Sequence, residues 1–129
     1  MRNPFGHIDL RVRDLDAARA FYARLLPPLG FTRFDDDESW PTWSAEGERP
    51  SAPFFGVTRD PSHVPNANRI AFWVGSREEV DRIGALLREI DAQIESGPRL
   101  VAEYTGRYYA VFFRDPGGNC LEVVHQVLG

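Results

Sequence analysis

The chain reads as an α+β protein made of two paired βαβββ modules, whose eight strands form a curved mixed sheet with helices on the outer face and a cup-shaped site inside. Three observations predict this. Arg69 to Val74 repeats the alternation of His7 to Val12; the shift 69 − 7 = 62 carries Ile8 onto Ile70, Leu10 onto Phe72 and Val12 onto Val74; and the same shift brings Asp14 onto Ser76 and Leu25 onto Leu87. Strand, helix cap and helix stripe agreeing in one register mark an internal repeat. Module 1 is placed at about 1–60, a connector at about 60–67 and module 2 at about 68–129, together one domain spanning 1–129.

Each element has its own warrant. Ile8, Leu10 and Val12 alternate with His7, Asp9 and Arg11, the period of a strand with two unlike faces. Asp14 caps a helix in which Ala18, Phe21, Tyr22 and Leu25 share one stripe, and Pro27-Pro28 ends it. Gly30 to Phe34 is the next strand, and the acidic run from Asp35 to Glu38 reads as a solvated hairpin loop. Trp40 to Ala45 and Ala52 to Thr58 follow as strands, joined by a polar turn from Glu46 to Pro50. Asp60 to Asn68 has the prolines and asparagines of a connector.

The second half keeps the order. Ser76 to Glu79 has the Ser-x-x-Glu form of a capping box, ahead of a helix burying Val80, Ile83, Leu87 and Ile90. Ile94, with Leu100-Val101, marks a short strand, and Tyr108 to Arg114 pairs with Asn119 to Val127 across the tight turn Asp115 to Gly118.

Composition limits the functions. With 43% hydrophobic residues in 129, a real core is affordable. A net charge of −4, with no block of Lys or Arg, argues against nucleic acid. One cysteine excludes an internal disulfide framework, no apolar run approaches bilayer length, and the first strand begins too early for a signal peptide. A soluble cytoplasmic protein with no membrane partner is the expectation.

The alternation turns His7, Asp9 and Arg11 toward the cup, and likewise Arg69, Ala71 and Trp73, then Cys120, Glu122 and Val124. Tyr108 and Phe112 face the same way, and Tyr104 lies on a loop, 97–107, that either closes over the cup or is an ordinary surface loop. Matching the final strands by their apolar runs sets Phe54 to Val57 under Leu121 to Val124, so that Phe55 is the twin of Glu122. Each aromatic taken singly has core packing as its plainer explanation. Glu122, between Leu121 and Val123, requires a cationic partner, a proton or a hydrogen-bond network. Cys120 is read as a small packing residue; His63 and His125 receive no role.

His7 to Leu15, followed by Phe21-Tyr22, then Arg69 to Val74, then Tyr108 to His125 with its Asp115-Pro-Gly-Gly-Asn119 hairpin, resemble the vicinal oxygen chelate superfamily of glyoxalases, bleomycin- and fosfomycin-resistance proteins and extradiol dioxygenases. The resemblance spans nearly the whole chain. It implies the paired-module fold, a homodimer, a small-molecule ligand and, in metal-dependent members, a divalent ion (Zn, Ni, Mn or Fe) held by residues of the first and last strands of each module. His7 matches the first ligand and Glu122 the last. Arg69 stands where a second histidine is usual, and Phe55, by the repeat, where some members have a second carboxylate. Guanidinium has five N–H donors and no acceptor, so Arg69 is no ligand.

Three functions follow. The favoured one is a binder holding a small molecule in an aromatic cup of Arg69, Trp73, Tyr108, Phe112, Phe55 and Tyr104, with no cofactor because Arg69 supplies the missing ion's charge. That reading expects an Arg69–Glu122 ion pair, or one competed for by an anionic ligand. The second is a metal-dependent lyase, isomerase or dioxygenase using His7 and Glu122 as ligands, with Glu122 also moving a proton. The third is a non-catalytic dimeric interaction module.

Overall fold

A computed structural model gives the structure, which describes residues 3–47, 52–104 and 106–127. The chain divides into two compact units, Met1–Val64 and Pro65–Gly129, and each is a βαβββ module. The turn expected from Glu46 to Pro50 lies outside the described residues from Glu48 onward.

In the first unit β1 (His7–Val12) leads into α1 (Leu15–Leu25), a short 3-10 turn at Pro27–Leu29, and then β2 (Phe31–Asp35), β3 (Thr42–Ala45) and β4 (Phe54–Arg59). The sheet order is β1-β4-β3-β2, with β1 and β4 parallel and the other pairs antiparallel. Asp14 caps α1 by accepting from the Ala17 backbone N–H at 3.0 Å. Such a cap is worth about 1 kcal/mol. The stripe Ala18, Phe21, Tyr22 and Leu25 is buried as its spacing predicts. Tyr22 is fully enclosed, its ring 5.0 Å from that of Phe55 and 6.4 Å from that of Trp43. Trp40 falls outside β3, because its backbone N–H is drawn into a turn by Asp37.

The second unit runs β5 (Arg69–Trp73), α2 (Arg77–Glu89), β6 (Gln93–Leu100), β7 (Tyr108–Arg114) and β8 (Cys120–Gln126), in the order β5-β8-β7-β6. Its pairings repeat those of the first unit, one parallel and two antiparallel. Ser76 caps α2 through the Glu79 backbone N–H at 3.2 Å, while the Glu79 carboxylate takes the N–H of Gly75, one residue earlier than a standard capping box would use. The α2 stripe of Val80, Ile83 and Leu87 is buried with Gly84, whereas Ile90 ends the helix as its C-cap. A Cβ at Gly84 would stand 2.6 Å from Pro98 Cγ, so the glycine lets α2 approach β6. β6 is longer than its sparse apolar residues suggest, because its ladder to β7 absorbs two irregularities, between Ile94 and Ser96 and between Ser96 and Arg99. In the turn after β7, Asp115 accepts from the backbone N–H groups of Gly117 and Asn119, each at 2.9 Å, and it is Gly118 that takes the positive φ of 92°.

The strand register corrects one step of the sequence reading. His7 pairs with Phe54 and Asp9 with Gly56, while Arg69 pairs with Cys120 and Ala71 with Glu122. With His7 equivalent to Arg69, the twin of Glu122 is Gly56, and Phe55 is the twin of Leu121. The match of the apolar run 54–57 to Leu121–Val124 is one residue out of phase with the observed pairing. A one-residue slip exchanges the two faces of a strand, and Phe55 accordingly lies in the core beneath α1, fully buried against Tyr22.

Candidate functional site

Alternation along β5, β7 and β8 sends Ile70, Phe72, Val111, Phe113, Leu121 and Val123 toward α2, and the intervening residues to the opposite face. That helix-free face collects Arg69, Trp73, Tyr108, Phe112 and Glu122, five of the residues singled out in the sequence. Val101, Ala110, Phe112 and Val124 form its apolar floor, with Tyr108 packed against them. Glu122 sits in that floor at 4% exposure, paired across the ladder with Phe112.

A carboxylate so placed must be satisfied, and the Tyr108 hydroxyl donates a hydrogen bond to its Oε2. Burial, and then the hydrogen bond to Glu122, push the Tyr108 pKa upward, so the phenol stays protonated and remains a donor. Tyr104, the loop residue, meets the Tyr108 ring edge-on at 5.1 Å and is 59% exposed. Trp73 is on this face but is 66% exposed, at its rim.

Arg69 takes a different partner from the expected one. Its guanidinium carbon lies 4.9 Å from the centroid of the Phe112 ring, a cation–π contact, and among the described residues no carboxylate oxygen comes within 4.0 Å of it. The direct Arg69–Glu122 ion pair is therefore absent from this structure, since Tyr108 holds Glu122 and Phe112 holds Arg69. Arg69 and Arg99, with the carboxylates Glu95 and Glu103 and with Ser96, Val101, Tyr104 and Phe112, line a cavity of about 230 Å³, and Glu95 is paired with Arg114 at 3.4 Å. Arg99 is already engaged by Glu103 at 3.2 Å, which leaves Arg69 as the lining cation without a carboxylate partner.

The helix-free face of the first unit is built differently. His7 is exposed and lies flat on Phe54, ring centroids 4.6 Å apart and 8° from parallel. Asp9 Oδ1 accepts from Trp40 Nε1 at 3.1 Å and from the Thr58 hydroxyl at 2.9 Å. Asp37 organises the approach to Trp40, taking hydrogen bonds from the Ser39 backbone, the Ser39 hydroxyl and the Trp40 backbone at 3.0 to 3.1 Å. Those bonds, the Ser39 backbone first, hold its carboxyl below the usual range. Asp9 lies on this face, as the alternation of β1 predicts, and the sequence alone gives it no role. The signal lay in the repeat, where Asp9 falls on Ala71 just as Glu122 falls on Gly56. Each module thus places one carboxylate at the centre of its face, on β1 in the first and on β8 in the second, beside a residue with little or no side chain.

Of the positions at which the resemblance places metal ligands, His7 and Glu122 carry donor atoms, and the other two do not. Arg69 brings a positive charge and no lone pair, Gly56 brings no ligand, and one oxygen of Glu122 is committed to Tyr108. Among the described residues, no three or more His, Cys, Asp or Glu side chains gather into a group able to hold a metal ion. Cys120 is buried, its Sγ 3.6 Å from the Asn66 carbonyl oxygen, and His125 Nδ1 lies 3.1 Å from that of Val74, so both are used in packing.

Comparison with known proteins agrees with this architecture. The family model described as the glyoxalase/bleomycin resistance protein/dioxygenase superfamily matches residues 5–123. A glyoxalase/bleomycin resistance protein from Albidiferax ferrireducens superposes with a TM-score of 0.76 at 24% identity, over 97% of this chain and 100% of the other. The fosfomycin resistance protein FosX from Listeria monocytogenes superposes at 0.71 with 22% identity, covering 99% and 97% of the two chains. A mutant of FosX, complexed with Mn(II) and 1S,2S-dihydroxypropylphosphonic acid, superposes at 0.69 with 20% identity, over 99% of this chain and 94% of the other. No curated protein matches the chain at a significant level. At these identities the structures speak for the fold, while the family model covers most of the sequence, and the chain belongs to the glyoxalase/bleomycin resistance protein/dioxygenase superfamily.

Proposed function

We propose that this superfamily member binds a small anionic molecule on the helix-free face of its second module, with Arg69 providing the positive charge that metal-dependent relatives take from a divalent ion. The observation that carries the reading is the state of Arg69: its guanidinium lies over Phe112, borders a cavity and has no carboxylate partner among the described residues. A planar fork of donors with no committed acceptor suits a carboxylate or phosphate group. Phe112, Tyr104 and Val101 supply apolar surface beside it, the mixture expected of a small-molecule site. A cavity on this face favours a binder over an interaction module, whose face would be filled by side chains. Sequestration of the ligand is the function, and a cytoplasmic homodimer belongs to the same reading.

The test is metal analysis of protein purified without chelator, joined to calorimetric titration with benzoate. Less than a tenth of an equivalent of any divalent metal, and benzoate affinity at least tenfold weaker in Arg69→Ala, are expected. Stoichiometric Zn, Ni, Mn or Fe that is lost on His7→Ala would overturn the metal-free reading in favour of the metal-dependent lyase, isomerase or dioxygenase.

A further inference from the structure

The first module carries an arrangement that the anion site on the second does not use. Asp9 and Trp40, with Leu15, Thr58 and Arg59, line a cleft of about 940 Å³, and Asp37 and Glu38 stand along its edge. Three carboxylates against one guanidinium give this lining an excess of negative charge. Charge alone would make it another solvated acidic patch; the seating of Trp40 distinguishes it. The indole is 40% exposed, yet its position is fixed from two sides, by the bond from Nε1 to Asp9 and by the Asp37 bond to its backbone N–H.

Its seat also depends on what is missing at position 56. A Cβ at Gly56 would stand 2.7 Å from Trp40 Nε1, closer than real Cβ contacts come, and a tight 3.1 Å from Cε2. The position equivalent to Glu122 has therefore no side chain, and the indole occupies the space. An aromatic held at a cleft wall, with a carboxylate at its edge, sets apolar surface beside a negative charge, so that an ammonium can meet the carboxylate while the ring that carries it packs on the indole.

Asp9 keeps capacity for a ligand. Its Oδ1 serves Trp40 and Thr58, while Oδ2 faces Arg11 at 3.5 Å, in a pair whose arginine side chain is 50% exposed. A surface pair of that kind contributes little and yields to a better-placed cation.

We propose that Asp9 and Trp40 form a second ligand site, on the first module, for the ammonium group of a small aromatic amine. Asp9 Oδ2 takes the ammonium N–H donors, Trp40 lies against the aromatic body, and the cleft is wide enough for both. The site does not rest on the anion reading of Arg69.

The probe is benzylamine, with benzyl alcohol and benzoate as neutral and anionic partners of the same shape. The readout is the indole Nε1–H resonance of Trp40 in a 1H–15N spectrum, identified by its loss in Trp40→Phe. Benzylamine is expected to move it saturably, benzyl alcohol at least fivefold more weakly, and benzoate not at all. Asp9→Asn retains an acceptor for Trp40 and Thr58 but removes the charge, so it should stay folded, with its spectrum dispersed, and lose at least fivefold in benzylamine affinity. Arg69→Ala should leave that affinity unchanged, which separates this site from the anion site. A resonance that does not move, equal affinity for benzyl alcohol, or an unaltered affinity in folded Asp9→Asn would each overturn the proposal.

Discussion

Tyr108→Phe takes away one hydroxyl and leaves the shape of the face intact, which makes it the cleanest probe of Glu122. The carboxylate is buried and accepts its hydrogen bond from that hydroxyl, so the variant should lose about 2 kcal/mol of stability in urea titration. The phenol also gives a pH signature. Its pKa is raised in the folded chain, so the folded state binds this proton more tightly than the unfolded state does. The associated stability is fully present below a pH of about 10 and is lost progressively as pH rises above it. Thermal melting between pH 9 and 11 should show a smaller alkaline loss in Tyr108→Phe than in the parent. At this scale the sequence was informative about residue type and mute about partners. It showed that Glu122 needed satisfying, but the choice between Arg69 and Tyr108 depends on side-chain reach across a twisted ladder, which alternation does not encode.

The elements were legible where periodicity and caps agreed. Both helices, their caps at Asp14 and Ser76, and the strands opening at His7 and Arg69 stand where the pattern put them. Two features escaped it. β6 is rich in polar residues and interrupted by Gly97-Pro98, so the sequence marks only a short strand at Ile94 and Leu100 where eight residues pair. The register of β4 slipped because Phe54 and Phe55 are both apolar although they face opposite sides; pairing to β1 resolves them, and composition cannot. Gly84 supplies an element-scale prediction. Alanine in an exposed helix interior gains up to about 1 kcal/mol over glycine, but here the added Cβ meets the Pro98 ring. Overpacking costs about 1 to 3 kcal/mol, so Gly84→Ala should be net destabilising by about 1 kcal/mol in equilibrium unfolding. Ser76→Ala, which removes a cap with no compensating clash, should cost a similar amount.

For the whole molecule the repeat was the decisive signal, since a chain of 129 residues with two matching halves admits few architectures. What the repeat conceals is divergence, because a frame of 62 residues that holds for the first strands no longer holds at the last, where Gly56 and Glu122 are 66 apart. The halves have become chemically unlike, one with Asp9 under an indole, the other with Glu122 under a phenol. Exchanging one charge should report on this: Arg69→His removes the fixed cation while leaving Tyr108 on Glu122, and we expect it to bind no more than a tenth of an equivalent of Zn(II) or Mn(II) by elemental analysis. Combination with Tyr108→Phe should raise that uptake by freeing the carboxylate. The Trp40–Gly56 contact bears on which substitutions the module can accept as well as on binding. A side chain cannot enter at position 56 while the indole is there, and losing the indole first removes a donor from Asp9. The path by which this module could acquire a carboxylate opposite its first strand is thus ordered, and its first step weakens what the module now has. Two changes that are each unfavourable alone form an epistatic barrier, and that barrier preserves the asymmetry of the two halves.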